Sequence, residues 1–268
     1  MSESQISNNK PLIIAIIAVV ALLICCCLVV VGLLLTGILT LPWSGLAEAR
    51  VEATESLEKS FEVSTPAALL LDINVGDIII QADDGDEVSI QATKHAWGRD
   101  SRQAEGYLDD FRVEIQQRTR GEVEIKTEMP ARLRRIGRTP KVDLKITVPQ
   151  KTDLKAVVNV GELEVSDVEG TFDIESNVGD VTLRNVRFKD DSQITSEVGD
   201  IELRLPAEVA FAFRAESNVG DIRVAFPIQN ERSERKVVGG SVEGEIGTSP
   251  TVHVELEANT GNINIRPD

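Results

Sequence analysis

The sequence has little of what builds most enzyme sites and disulfide-stabilised folds. Its 268 residues include two histidines, 4% aromatic residues and only three cysteines, Cys25, Cys26 and Cys27. Because no cysteine follows residue 27, the rest of the chain has no disulfide framework and no cysteine-based zinc site. Positive charge is also scarce. The formal net charge of -16 argues against a general nucleic-acid binder, since phosphate binding needs a positive surface.

Charged residues are absent from one long stretch near the N-terminus, between Pro11 and Trp43. A membrane span needs about 20 apolar residues, whereas the apolar region of a cleaved signal peptide has about 7–15. The length therefore predicts a short tail over residues 1–10 and an uncleaved transmembrane helix over residues 11–42. The three cysteines fall inside this span, where small apolar residues in lipid are the favoured interpretation and palmitoylation is the alternative.

After this stretch, apolar residues recur at three- and four-residue steps with charged residues between them: Leu46, Ala49, Ala53, Leu57 and Phe61. This spacing is typical of a helix with a narrow apolar stripe. Residues 43–66 are therefore predicted to form a juxtamembrane stalk helix that ends at Pro66. Lysine and arginine are nearly balanced on the two sides of the predicted span, so charge does not indicate its orientation.

From Ala67 onward the hydrophobic period changes to two, which predicts short strands separated by turns. Residues 67–268 are expected to form one all-β domain, with a helical interruption near residues 103–111. A glycine-centred motif, represented by NVGDVTL at 177–183, occurs six times in it. The motif glycines are Gly76, Gly161, Gly179, Gly199, Gly220 and Gly261.

The last five of these glycines are separated by 18, 20, 21 and 41 residues. A period near 20 predicts the stacked rungs of a β-solenoid, and 41 is close to two periods. Glycine supplies a positive φ that other residues resist, and the residue before the Val–Gly pair, usually asparagine, suits a turn. Each motif is therefore interpreted as the corner of a rung, with asparagine amides stacked about 4.8 Å apart. The strands after Gly179, Gly199 and Gly220 should lie side by side, in one direction, in one sheet.

These repeats, with the preceding DLKITVP strand and the later GGSVEGEIG and VELEANTGNINI segments, resemble the bacterial "putative adhesin" β-strand-repeat family, a domain of unknown function. The resemblance covers about residues 69–268. It implies a β-solenoid-like domain that is often membrane-tethered and associated with the cell envelope, without catalytic residues. Together with the predicted anchor, it implies a single-pass cell-membrane protein whose C-terminal domain is extracytoplasmic.

Two groups of charged residues are candidate sites. Asp180, Asp200 and Asp221 share one motif position, where stacked carboxylates would suit Ca²⁺; exposed aspartates screened by salt are the favoured alternative. The second group is an Arg-rich segment that would suit anionic lipid headgroups or acidic envelope polymers, with a solvated loop as the favoured alternative. Its residues are Arg132, Arg134, Arg135, Arg138 and Lys141.

Three functions remain open: an envelope-facing, membrane-anchored interaction or scaffold module, an envelope-stress sensor acting through a membrane partner, and a carbohydrate-active β-helix enzyme. Neither His95 nor His253 lies beside a nucleophile motif, which disfavours the enzyme. The ten-residue tail is too short for a signalling domain, which favours the first function over the second. The expected partner is an envelope polymer or another membrane protein, with no cofactor and no nucleic acid.

Overall fold

The computed structural model describes residues 51–133 and 139–268. These residues form an almost entirely β structure with one helix, α1 (Ser101–Asp110). The strands are β1 (Val51–Glu62), β2 (Ala67–Ile73), β3 (Ile78–Asp83), β4 (Glu87–Gly98), β5 (Arg112–Thr119), β6 (Glu122–Glu128), β7 (Lys141–Pro149), β8 (Thr152–Val158), β9 (Leu163–Ser166), β10 (Glu169–Gly170), β11 (Phe172–Val178), β12 (Val181–Arg184), β13 (Arg187–Phe188), β14 (Ser192–Val198), β15 (Ile201–Leu205), β16 (Phe211–Val219), β17 (Ile222–Val224), β18 (Gln229–Arg235), β19 (Gly240–Ile246), β20 (His253–Thr260) and β21 (Ile263–Pro267).

Two large sheets contain most of these strands. A nine-stranded sheet has the order β1-β4-β7-β3-β9-β12-β15-β21-β17, and a ten-stranded sheet has the order β18-β19-β16-β20-β14-β11-β8-β2-β6-β5. The short strands β10 and β13 form a parallel pair of their own. The all-β prediction is confirmed, and α1 lies where the helical interruption was predicted.

Each motif glycine follows a strand of the ten-stranded sheet and precedes a strand of the nine-stranded sheet. For example, β11 leads through Gly179 into β12, and β14 leads through Gly199 into β15. Strands of successive rungs are parallel and in register, with Val181 opposite Ile201. The predicted shared sheet and common direction of β12, β15 and β17 are confirmed. However, the prediction that the three strands lie side by side is wrong for β17, because β21 is inserted between β15 and β17 and the rungs do not stack in sequence order.

Alternation along the strands places one face of each rung between the two sheets. In β12 and β15 the inward residues Val181, Leu183, Ile201 and Leu203 are all 0% exposed, whereas the residues between them are partly exposed. Fully burying a side chain of this size stabilises a fold by about 1.5–3 kcal/mol. Because equivalent positions recur in successive rungs, the apolar core runs continuously along the stack.

The prediction of a stalk helix is wrong, because residues 51–62 form a strand. β1 pairs antiparallel with β4 along all 12 of its residues. Its apolar residues Ala53, Leu57 and Phe61 are partly buried, and the residues between them are exposed. A spacing of four residues is a multiple of two, so it fits one face of a strand as well as one face of a helix. The pairing with β4 therefore determines that residues 51–62 form a strand and not a helix.

The prediction of a single-pass membrane protein is also corrected. Among residues 51–133 and 139–268, no helix is long and apolar enough to cross a membrane. The predicted span itself, residues 11–42, lies outside the described residues. That prediction rested on the length of an uncharged apolar run and on the family resemblance.

Candidate functional site

The six motif glycines form one stack, which we call the corner ladder. Its order is Gly76, Gly161, Gly179, Gly199, Gly261 and Gly220. All six have positive φ, between +135° and +155°. A Cβ on Gly161 would lie 1.9 Å from the carbonyl oxygen of Gly76. Glycine is therefore required for two reasons, the backbone conformation and the close approach of the neighbouring rung.

Asparagine side chains beside the glycines join one rung to the next. Asn177 Nδ2 donates to Asn159 Oδ1 at 2.8 Å, and Asn218 Nδ2 donates to Asn259 Oδ1 at 3.0 Å. At the step from Gly199 to Gly261, Asn259 Nδ2 donates to a carboxylate oxygen of Glu197 at 3.0 Å. The stacking of asparagine amides is therefore present at two steps of the ladder, and a glutamate replaces one amide at a third.

Buried serines satisfy carbonyl groups within the same corners. Ser176 and Ser196 donate to the carbonyl oxygens of Gly179 and Gly199, both at 3.2 Å. These two serines are 1% and 0% exposed, so an unpaired hydroxyl there would cost stability. The serine of the SNVGD motif is thus part of the corner geometry and is not a free nucleophile.

Asp180 and Asp200 accept hydrogen bonds from the backbone of the neighbouring rung, whereas the Asp221 carboxylate forms an ion pair with Arg223 at 2.9 Å. Asp180 Oδ1 accepts from Asp200 N at 2.8 Å, and Asp200 Oδ1 accepts from Asn262 N at 2.7 Å. Asn262 Oδ1 in turn accepts from Asp221 N at 3.0 Å. This role needs only a short side chain with an acceptor oxygen, which explains why the motif uses both Asp and Asn. In the described part of the chain, no group of three or more His, Cys, Asp or Glu residues is arranged to hold a metal ion.

The described members of the Arg-rich segment are paired with acids of the same chain. Arg132 forms an ion pair with Asp110. Lys141 Nζ lies 2.9 Å from Asp143 and 3.2 Å from Asp77. Burial alone would lower the pKa of Lys141, but hydrogen bonds to the two aspartates raise it. Arg134, Arg135 and Arg138 lie outside the described residues.

The two histidines lie in different environments. His95 Nδ1 is 2.9 Å from a carboxylate oxygen of Glu52, and its Nε2 is 3.3 Å from Asp143. Its ring stacks on Trp97 with 6.1 Å between centroids. His253 is exposed at the start of β20. Among the described residues, neither imidazole is hydrogen-bonded to the side chain of a serine, threonine or cysteine, the arrangement that activates a nucleophile.

The outer side of the ten-stranded sheet carries a second candidate site, which we call the acidic face. The register brings together four strands, β11, β20, β16 and β19, with β14 between β11 and β20. The acidic face consists of Asp173, Glu175, Glu216, Glu243, Glu255 and Glu257.

Only some of these carboxylates are neutralised within the chain. Lys155 lies 2.5 Å from Asp173. Hydrogen bonds from Arg214 and then Lys236 lower the pKa of Glu216. In contrast, Glu175, Glu255 and Glu257 are exposed and have no cation within ion-pair distance among the described residues. Neighbouring acids about 7 Å apart repel by about 0.6 kcal/mol in water, which a positively charged partner would relieve.

Sequence reasoning missed the acidic face because its rows depend on the stacking order. Glu175 lies opposite Thr195, and Thr195 lies opposite Glu257. The alternation of β11 and β20 does predict that their glutamates face solvent. It does not show that β14 alone separates these two strands.

Comparisons with known proteins agree with the observed architecture. Residues 143–266 match the family model described as Toastrack DUF4097. A search of curated proteins finds no match. A crystal structure of a "putative cell adhesion protein" from Clostridium sporogenes aligns with a TM-score of 0.54 and 17% identity, over 82% of this chain and 100% of that one. One of a "putative adhesin" from Bacteroides fragilis aligns with a TM-score of 0.36 and 14% identity, over 80% of this chain and 97% of that one. The chain thus shares its fold with the Clostridium protein and is similar to the Toastrack family over its C-terminal repeats.

Proposed function

We propose that this chain is a non-catalytic interaction module of the adhesin type that binds a positively charged partner protein on its acidic face. The observation that carries the proposal is the set of three exposed carboxylates, Glu175, Glu255 and Glu257, that form no ion pair within the described part of the chain. Fixed charges on a rigid sheet attract a complementary surface and set its orientation.

The architecture supports binding over a broad surface. The acidic face lies on four strands, β11, β20, β16 and β19, within a run of five neighbouring strands of one sheet. Each of β11, β14, β20 and β16 leads into a glycine of the corner ladder. Neither histidine of the described residues is placed to activate a nucleophile. The fold shared with a protein described as a "putative cell adhesion protein" is consistent with this function.

The test is the binding of the full chain to isolated bacterial envelopes, measured by sedimentation at two salt concentrations. The triple variant Glu175→Gln, Glu255→Gln and Glu257→Gln should lose at least fivefold in bound fraction. Wild-type binding should also weaken as salt rises, because the charges are exposed.

The control variant removes three negative charges from exposed positions elsewhere: Glu105→Gln, Asp109→Asn and Glu208→Gln. It should bind as the wild type does. Equal binding by both variants, or equal loss in both, would contradict a role for the acidic face. Thermal melts of all three proteins check that the fold is retained.

A further inference from the structure

The nine-stranded sheet begins with β1, a strand that is paired on one side only. β1 has 12 residues, whereas the other strands at the ends of the two large sheets, β5, β18 and β17, have 8, 7 and 3. Among the described residues β4 is its sole partner strand. Because the edge of a sheet is a template for pairing with a further strand, β1 is the longest such template in the described part of the chain.

The backbone hydrogen bonds define which residues of β1 face the open side. Val63 N donates to Asp86 O at 2.9 Å, one step beyond the Glu62–Glu87 pair of the register. Hydrogen-bonded pairs alternate along an antiparallel ladder, so even-numbered residues of β1 direct their N–H and C=O groups away from β4. In agreement, Glu62 O accepts from Gln117 Nε2 at 2.8 Å. The outward backbone groups of four residues have no hydrogen bond within the described residues: Thr54, Ser56, Glu58 and Ser60.

The sequence of β1 is complementary to itself in one antiparallel register. The ladder requires even-numbered residues to face even-numbered residues. When Leu57 faces Leu57 of a second copy, Ala53 faces Phe61 and Glu55 faces Lys59. The next register in either direction places both Glu55 and Lys59 opposite apolar residues. The one after that places Glu55 or Lys59 opposite itself, so a single register matches apolar residues with apolar ones and joins opposite charges.

The odd-numbered residues of β1 lie on the inner face of the sheet, where charges protect an edge strand if pairing would leave them alone. In this register each charge meets its opposite. Glu55 already pairs with Lys94, and Lys59 Nζ donates to Ile115 O at 2.9 Å. A carboxylate has two oxygens and an ammonium has three donors, so both groups retain capacity for a second partner.

On the other face of β1 the matched pairs are mostly small and polar. Thr54 faces Ser60, and Ser56 faces Glu58. Like charges meet only where Glu52 faces Glu62, at the two ends of the ladder, and exposed charges in water repel weakly. The pairing is therefore centred on Leu57.

We propose that two copies of this chain associate through β1, antiparallel about a twofold axis at Leu57, so that their nine-stranded sheets become one sheet. In such an isologous interface every contact occurs twice, which doubles the Glu55–Lys59 and Ala53–Phe61 pairs. This self-complementarity selects a second copy over an unrelated strand. The acidic face lies on the ten-stranded sheet, so the inference does not rest on the proposed function.

Sedimentation equilibrium of the full chain measures the dissociation constant of the dimer. Glu55→Lys and Lys59→Glu should each weaken association at least tenfold, because like charges then face each other. An equimolar mixture of the two variants should associate within threefold of the wild type, since opposite charges face each other again across a mixed pair. The control variants Glu208→Lys and Lys189→Glu, at exposed positions away from β1, should associate as the wild type does. A monomeric wild type, or a mixture as weak as its components, would overturn the proposal.

Disulfide formation tests the register in a chain whose three cysteines are replaced by serine. Leu57→Cys should form an intermolecular disulfide on mild oxidation, because facing residues of a non-hydrogen-bonded pair have Cα atoms about 4.5 Å apart. Glu55→Cys and Lys59→Cys should each fail alone, since each lies about 13 Å from its own counterpart, and should join when mixed. Leu57→Cys should react at least tenfold faster than the exposed control Glu208→Cys. Equal rates, or no gain on mixing, would overturn the proposal.

Hydrogen exchange separates a second copy from a segment of the same chain, without any substitution. The amides of Ser56 and Glu58 should exchange at least tenfold more slowly well above the dissociation constant than well below it. Protection that does not depend on protein concentration would identify an occupant within the same chain and overturn the proposal. Fast exchange at every concentration would show that the edge of β1 stays open and would overturn it as well.

Discussion

Replacing Gly199 with alanine should destabilise the domain strongly, because Gly199 lies in the middle of the corner ladder, between Gly179 and Gly261. Gly199 has a φ of +149°, and a conformation of this kind costs a non-glycine residue about 1–3 kcal/mol. The added Cβ would lie 2.2 Å from the carbonyl oxygen of Gly179. The Cβ and the carbonyl oxygen are attached to the paired backbones of adjacent rungs. Relieving this steric clash would therefore require breaking hydrogen bonds between the rungs. We expect a total loss of about 3–5 kcal/mol, at the upper end of single-residue effects.

Thermal unfolding followed by circular dichroism measures this effect. For a domain of this size, about 1 kcal/mol corresponds to about 2–4 °C, so the Tm of Gly199→Ala should fall by about 6–20 °C. Gly106→Ala is the matched control, since it lies in α1 with nothing within 4 Å of the added Cβ. There alanine should raise stability by about 0.5–1 kcal/mol. A Tm of Gly199→Ala within about 1 °C of the wild type would refute the argument from close approach.

Four further outcomes are expected. Asp200→Ala should lower the free energy of unfolding by about 1–3 kcal/mol, because a backbone N–H loses its acceptor, and Asp200→Asn should lower it less; equal losses in denaturant titrations would contradict the acceptor role. Millimolar Ca²⁺ should shift the Tm no more than NaCl of matched ionic strength, and a larger shift that Asp200→Asn abolishes would reveal a metal site. Hydrogen bonds from Arg204 and then Arg266 lower the pKa of Glu202 from 4.5. The contribution of Glu202 to the free energy of unfolding is therefore complete above pH 4.5 and is lost as the pH falls through its lower pKa in the folded state. Glu202→Gln should make the free energy of unfolding less sensitive to acid, and an unchanged pH profile of unfolding would contradict this role of Glu202. A fragment of residues 51–268 should melt cooperatively and at a higher temperature than one of residues 67–268, which lacks β1; equal melts would show that β1 adds no stability.

The sequence predicted the local geometry of the repeats well, because that geometry depends on residues close together in the chain. Positive φ at Gly179 and Gly199 follows from the motif itself, and the alternation after each glycine defines which side chains enter the core. The helix near residues 103–111 was also predicted from a local pattern.

Long-range pairing was not predicted, because several pairings satisfy the same local pattern. The interval of 41 residues between Gly220 and Gly261 indicated two periods. In the structure it contains the antiparallel hairpin β18–β19, and β21 returns to a position between β15 and β17. The polar sequence of β18, QNERSER, has no apolar alternation to reveal this hairpin. The rows of the acidic face depend on this stacking order, so they could not be predicted either.

The inserted order of the rungs is the central structural claim, and engineered disulfides test it most directly. Asn259 lies directly between Glu197 and Asn218 on neighbouring parallel strands. In a chain with Cys25, Cys26 and Cys27 replaced by serine, the pairs Asn259→Cys with Asn218→Cys and Asn259→Cys with Glu197→Cys should form disulfides on mild oxidation, since their Cα atoms are about 4.8 Å apart. The pair Glu197→Cys with Asn218→Cys should not, because two strand spacings, about 9.6 Å, exceed the reach of a disulfide. Peptide mapping that finds the Glu197–Asn218 bond and neither bond to Asn259 would show that the rungs stack in sequence order and would contradict the account.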